Sequence, residues 1–369
     1  MDKSEAWVRI LLIGHTRFAI GPPFAGGLES ATWHLADRLS AEGHDVTVFA
    51  APGTNCGPGV TVINPVAPQP PSRSMESMGS GDHVVVHHAY LELMLQLQRT
   101  QPFDIVHNHS LHYLPIALSG LLDVPVLTTL HTPPIAWMES AFQLAPAKGQ
   151  HACAVSGFTA ASWDHVIDAE VVHNGVDTDV WRPGPGGDDL VWSGRMVPEK
   201  APHLAIEIAR RAGRALHLAG PISDRRYFSE QVLPLLGGPI RYAGHLAEDR
   251  LSDLVGRCAA ALVTPVWDEP FGLVAAEAMA CGTPVVAFAR GGLPEILGVD
   301  GGIAVPAGSV GAAAEAVGEA QALSRIRIRR RAERHFSVQR MSADYLRTYR
   351  RIILGGNDFA SAGAHTYSA

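Results

Sequence analysis

The stretch AAALVTPVWDEPFGLVAAEAMACGTPVVAFA, Ala259 to Ala289, decides the fold. AAALVTPVW and PVVAFA are short apolar runs of strand type, and the residues between them have helix-like punctuation. Pro270 suits the first position of a helix, where its missing N–H costs nothing, and Gly282 followed by Pro284 reads as a stop. The segment is therefore strand, loop, helix, strand. In a parallel sheet that crossover puts the loop at the carboxyl end of the first strand, where open α/β sheets bind ligands and a helix start offers free N–H donors. Glu269 falls at the lip of that crevice. Glu277 falls inside the helix among Ala and Met, where a carboxylate needs a partner such as a ligand hydroxyl.

The same alternation runs outward in both directions. WVRILLI, DVTVFA, DIVHNH, PVLTTL, HACAVS and EVVHN read as strands, with helix-like runs over 28–43, 89–99 and 137–148. WRPGPGGDD, 181–189, breaks the period and reads as a linker, after which DLVWSG, ALHLAG, IRYAG, ALVTP, PVVAF and GIAV restart it. The fold class predicted is α/β, two doubly wound Rossmann-like domains facing each other across a cleft. The expected division is 1–181, a linker at 182–189, 190–335, and a C-terminal helix at 336–354. The Pro-, Ser-, Met- and Gly-rich segment 67–82 is expected to be mobile, and the tail from about 355 to fray.

Composition narrows the function. The 369 residues exceed one ordinary core, and a net charge of −7 argues against a nucleic-acid partner. Cys56, Cys153, Cys258 and Cys281 lie far apart without C-x-x-C spacing and read as small packing residues. No run reaches the 18 apolar residues of a membrane span, and MDKSEAWVRILLIG puts acids ahead of a short apolar run, unlike a signal peptide. A cytoplasmic location is expected.

Several charged and glycine-rich spots fall at strand ends. Gly26 and Gly27 in GGLES open a helix, where backbone amides can approach an anion. Arg195 and Lys200 in SGRMVPEK lie five residues apart across a turn and can converge on one diphosphate, Arg as a fork and Lys as a point charge. His107, His109, His112 and His131 permit a metal cluster, but no helical pair of histidines with a carboxylate accompanies them, so core or pocket imidazoles are the expectation; His131, ending a strand, is the candidate site residue. Asp177-Thr178-Asp179 reads as turn chemistry. The basic run SRIRIRRRAERHF reads as a solvated face, with an anionic surface as the alternative.

GGLES, TLHTPP, AVS, HNGVDTDVWRP, SGRMVPEKAPH and EPFGLVAAEAMACGTPVVA, in this order, resemble the retaining glycosyltransferases of the GT-B fold, the large family four that uses nucleotide-sugar donors. The likeness spans about residues 8 to 352. It implies a hexosyltransferase without a cofactor or metal. Glu269 would face the donor sugar and Glu277 the ribose, with Phe271, Gly272 and Leu273 offering amides beside the diphosphate. Arg195 and Lys200 would neutralise the leaving group, Gly27 would bring an amide from the other domain, His131 would lie near the anomeric centre and Asn174 near the donor. UDP is the favoured base by family frequency alone. The 1–150 region, with seven Lys and Arg against twelve Asp and Glu, predicts a small, soluble, polar acceptor and no stable membrane association. Two rival readings are a sugar-nucleotide epimerase of similar fold and a non-catalytic two-lobed binding protein.

Overall fold

The structure, a computed structural model, describes residues 7–66, 81–100, 102–146 and 149–355. Among these, the first sheet holds β1 (Arg9–Ile13), β2 (Asp45–Phe49), β3 (Val60–Ile63), β4 (Ile105–Asn108), β5 (Val126–Leu130), β6 (Gln150–Ala154) and β7 (Glu170–Val171). The second holds β8 (Leu190–Ser193), β9 (Leu216–Ala219), β10 (Ile240–Gly244), β11 (Ala260–Val263), β12 (Val285–Phe288) and β13 (Gly302–Val305). The orders are β3-β2-β1-β4-β5-β6-β7 and β10-β9-β8-β11-β12-β13, with every pairing parallel. Both are doubly wound α/β sheets, and their directions of travel reverse between β1 and β4 and between β8 and β11. Crevices open at the carboxyl ends of such pairs.

Sequence explains most of these elements. Helices cover both faces of a parallel sheet, so its central strands are apolar throughout: Ile10 to Ile13 and Val285 to Phe288 are buried without alternation. Strands at the edges are less buried, and β3, Val60–Ile63, alternates between half-buried and exposed. It was not among the expected strands, because four residues pairing on one side give little periodicity.

Three boundaries also differ. Gly81 and Asp82 belong to the helix Gly81–Thr100 and not to the expected mobile segment, whose residues 67–80 lie outside the described residues, as does the tail from 356. The expected helix 137–148 runs Ala136–Leu144 and ends in extended backbone at Ala145; residues 147 and 148 lie outside the description. The decisive helix starts at Leu273, not at Pro270, because Gly272 at φ 95° turns the chain left-handed just before it. The linker is packed tightly, with the Gly184 and Gly186 amides bonded to the carbonyls of Cys281 and Gly256. A Cβ on Gly184 would meet the Gly256 carbonyl oxygen at 2.2 Å.

The helix Val338–Ile353 carries Val338, Met341, Tyr345, Tyr349 and Ile352 on one stripe, and these pack into the first domain's core with Val8, Ile10, Leu12 and Leu35. Each such side chain contributes about 1.5–3 kcal/mol on burial. The basic helix before it, Arg325–Phe336, is a correction. Arg329 donates to the carbonyls of Thr178, Trp181 and Ala280, Arg325 to those of Gly256, Cys258 and Cys281, and Arg331 to those of Glu295 and Ile296. These three guanidiniums are spent on backbone carbonyls of the second domain and, for Arg329, of the segment that leads into the linker; Arg327, Arg330 and Arg334 form the exposed face. All four cysteines are free and buried, and the Asp179 amide bonds to Asp177 Oδ1 at 2.8 Å, an Asx turn.

Candidate functional site

One cavity of about 400 Å³ lies between the two sheets' carboxyl ends, and Gly26, Gly27, His131, Asn174, Arg195, Lys200, Glu269, Phe271, Gly272, Leu273 and Glu277 all line it. The topology brings them together. Arg195 follows β8 and Glu269 the loop after β11, the two strands at the second sheet's switch point, while His131 follows β5. The first residues of the helices Gly27–Ala41 and Leu273–Ala280 adjoin: a Cβ on Gly27 would stand 3.5 Å from Leu273 Cδ2. Two adjoining helix N-termini, each with unpaired first-turn amides and a partial positive charge, make this gap suited to an anion.

Lys200 and Glu269 form a direct ion pair at the cavity wall. The Glu269 carboxylate, only 5% exposed, also accepts from Trp267 Nε1 at 3.1 Å, and the Lys200 ammonium lies 5.0 Å from that indole's centroid. The backbone around the lysine is fixed by Ala201, a non-glycine residue at φ 46°, and by the bond from the Val266 amide to the Glu199 carbonyl. Left-handed alanine costs energy and persists where the surroundings impose it. Arg195 is freer, its nearest acid being the exposed Glu199 at 3.7 Å.

Glu277 sits deeper. Burial pushes its carboxyl up to about 8, with Glu248 nearby adding to the shift. Glu248 in turn lies 3.7 Å from Nε2 of His34 on the first domain's helix. His131 is held neutral by burial, its pKa lowered to about 3. Behind it, His109 Nδ1 lies 2.9 Å from His131 Nε2, and His107 Nδ1 lies 3.0 Å from His109 Nε2. Three of the four singled-out histidines thus form one chain; His112 instead stacks on Tyr90 with centroids 4.4 Å apart. Among the described residues no group of three or more His, Cys, Asp or Glu is placed to hold a metal ion.

Sequence reasoning passed over Glu29, Trp267 and Glu248, which also line the cavity. Glu29 was visible inside the quoted GGLES: it is buried, burial raises its pKa, and Arg195 works against that rise from the other side of the cleft. The domains meet below the cavity, where Ser156 Oγ and Thr159 Oγ1 donate to the Pro270 carbonyl and Glu295 takes the Gly157 amide at 2.8 Å and pairs with His173 at 2.6 Å. A second cavity lies at the amino ends of β6 and β7 and contains none of the expected site residues.

Comparisons with known proteins agree with this architecture. The model of Glycosyltransferase Family 4 matches residues 25–180, and that of Glycosyl transferases group 1 matches 180–334. The chain is 29% identical over 340 residues to a glycogen synthase of Mycobacterium tuberculosis, covering 78% of this chain and 80% of that one. It is 27% identical over 331 residues to a D-inositol 3-phosphate glycosyltransferase of Acidothermus cellulolyticus, covering 73% and 72%. Among solved structures, Anabaena Alr3699/HepE in complex with UDP and glucose superposes with a TM-score of 0.72 at 19% identity, covering 92% of this chain and 99% of that one. With two Rossmann-like domains closing on one cavity and the two family matches meeting at residue 180, the chain belongs to the family 4, group 1 glycosyltransferases of the GT-B fold.

Proposed function

We propose that this chain moves a hexose-type sugar from a nucleotide-sugar, UDP favoured, to a hydroxyl of a small soluble polar acceptor, with retention and without a metal. The observation that carries the reading is the Lys200–Glu269 pair on the wall of a cavity where two helix N-termini converge. Such a wall offers a cation to the leaving diphosphate and, beside it, a carboxylate to the sugar hydroxyls. Arg195 and Lys200 would take the diphosphate together with the amides of Gly27, Gly272 and Leu273; Glu277 would take the ribose, while Asn174 and His131 would contact the donor and its anomeric end. HepE's complexes with UDP and UDP-glucose support the choice of base.

The chemistry such a wall supports is electrostatic. As the bond from the anomeric carbon to the diphosphate oxygen breaks, negative charge grows on the leaving group, and pre-positioned cations and dipoles in a closed cleft lower the barrier by several kcal/mol. The acceptor oxygen bonds to the anomeric carbon on the face the diphosphate leaves. Its proton passes to a phosphate oxygen, so no protein nucleophile is needed. The soluble acceptor is supported by the acidic balance of residues 1–150, a field that repels anionic membranes and draws in cations. The test is product analysis with UDP-hexoses in the presence and absence of acceptors: an α-linked glycoside and UDP support the reading. A new nucleotide-sugar without acceptor, or tight binding with no turnover, overturns it.

A further inference from the structure

Two hydroxyls of the first domain end on one carbonyl of the second. Ser156 and Thr159, both fully buried in the turn that follows β6, donate to the Pro270 carbonyl at 2.5 and 3.1 Å. Ser156 Oγ also accepts the Thr159 amide at 3.1 Å, which caps the short helix Gly157–Trp163. That cap uses only a lone pair of the serine oxygen, so its proton is free for Pro270, and Thr159 brings a second proton to the carbonyl's other lone pair. The Thr159 hydroxyl has no part in the cap.

The carbonyl they hold lies one residue past Glu269. The Glu269 carbonyl itself is held from a different side, by the Gly292 amide at 2.7 Å. Pro270 joins these two anchored carbonyls. Its ring locks φ and leaves its ψ as the one soft torsion between them, so the two anchors together fix the peptide plane next to the Glu269 Cα. That plane aims the Glu269 side chain, whose carboxylate pairs with Lys200 and accepts from Trp267 Nε1 at 3.1 Å. The joint has no slack. A Cβ on Gly292 would stand 2.8 Å from the Pro270 oxygen and 3.1 Å from Ser156 Oγ. The Gly157 amide, in the same turn as the two hydroxyls, donates at 2.8 Å to Glu295, on the helix that Gly292 starts.

We propose that Ser156 and Thr159 are positioning residues: by holding the Pro270 carbonyl from the first domain, they set where Glu269 presents its carboxylate in the cavity. Neither residue lines the cavity itself. Without their protons a buried carbonyl must turn to find another donor, and the Glu269 carboxylate turns with it. Arg195 at the end of β8 and Leu273 at the start of its helix are anchored by those elements, so the sugar end of the cavity responds more than the diphosphate end. The kinetic part of this inference rests on the glycosyl-transfer reading; the effect on the Glu269 wall does not.

Thr159 allows a paired experiment, because Thr159→Val keeps the shape and removes the proton, while Thr159→Ser keeps the proton and removes a methyl. The full chain is labelled with 5-fluorotryptophan, and Trp267, which donates to Glu269, is assigned by the loss of its fluorine signal in Trp267→Phe. In the ligand-free protein Thr159→Val is expected to shift the Trp267 signal, and Thr159→Ser to leave it near its wild-type position. By calorimetry and initial rates, Thr159→Val should raise the Kd for a UDP-hexose and lower turnover, each about tenfold, with the Kd for UDP held within about twofold. Thr159→Ser should return most of both. Ser156→Ala, which removes the other proton, should also move Trp267 and covers a Thr159→Val chain that fails to fold. A packing role gives the opposite order, with Thr159→Ser the more damaging. That order, an unmoved Trp267 signal in a folded Thr159→Val or Ser156→Ala chain, or a moved signal with unchanged turnover in an active one overturns the proposal. A moved signal in a chain that binds no UDP-hexose leaves the positioning standing and removes only the transfer reading.

Discussion

Lys200 and Glu269, 69 positions apart in the chain, share one ion pair on the cavity wall, so the cation proposed for the leaving diphosphate also holds the carboxylate proposed for the sugar. Lys200→Ala and Glu269→Ala are each expected to lower turnover at least about 100-fold, since each removes a contact made inside the cleft and exposes its partner's charge. Melting temperatures measured alongside should fall more for Lys200→Ala, which leaves a carboxylate only 5% exposed without its counter-charge. Near-normal turnover in both folded variants would remove the site assignment.

Glu277 gives a pH-dependent expectation. Its carboxyl stands at about 8 in the folded chain against about 4.3 in an unfolded one. Between those values the folded state holds a proton that the unfolded state has lost, so this group makes stability fall as pH rises from about 4 to about 8 and adds nothing further above. The slope has a ceiling of about 1.4 kcal/mol per pH unit, reduced by solvent in the open cleft. Glu277→Gln should therefore gain melting temperature relative to wild type between pH 5 and pH 8. Equal gaps at both ends would count against the raised pKa. Glu277→Ala should weaken UDP binding about tenfold or more by calorimetry without any acceptor.

Gly291 supports Glu269 from behind. It adopts φ 59°, and a Cβ there would stand 2.1 Å from the Glu269 carbonyl oxygen, while the next amide, of Gly292, bonds to that same oxygen at 2.7 Å. Gly291→Ala is expected to displace the Glu269 backbone and cost both stability, by about 1–3 kcal/mol, and turnover. Thermal unfolding together with single-turnover rates checks this; an unchanged rate would show that Glu269 is held by other contacts.

The basic helix separates into two roles. Arg329→Ala should lower the melting temperature clearly, because the carbonyls of Thr178, Trp181 and Ala280 lose their donor. Replacing the exposed Arg327, Arg330 and Arg334 together should leave it within a degree or two. The full chain is expected to stay at the bottom of a flotation gradient with anionic liposomes at low salt. Strong co-flotation lost in the triple variant would favour a lipid-surface acceptor instead.

Turnover is expected to survive EDTA. The proposed diphosphate site carries the cations Arg195 and Lys200, which do the charge compensation a divalent ion would otherwise supply. Activity abolished by EDTA and restored by magnesium or manganese would overturn this.

The sequence by itself determined the elements and which loops carry charge. Strand runs, glycine stops and the position of Arg195, Lys200, Glu269 and Glu277 relative to them are local, because periodicity and punctuation depend on a few consecutive residues. It also placed Gly26 and Gly27 at a helix start. Only the tertiary structure decided who meets whom. Lys200 reaches Glu269 because β8 and β11 are neighbours at the switch point of the second sheet, and His107 reaches Tyr349 because a helix 242 positions later returns to the first core. Arg329, which reads as a solvated cation in a basic run, is turned inward by carbonyls from two separate segments, 178–181 and Ala280. At the start of the helix at Leu273 local and tertiary causes act together: Gly272 turns the chain locally, and the Pro270 carbonyl ahead of it is taken by Ser156 and Thr159 of the other domain. Hydrogen bonds and ion pairs of this kind depend on strand order and domain docking, and those arise from summed burial over the whole chain, which no short window of sequence contains.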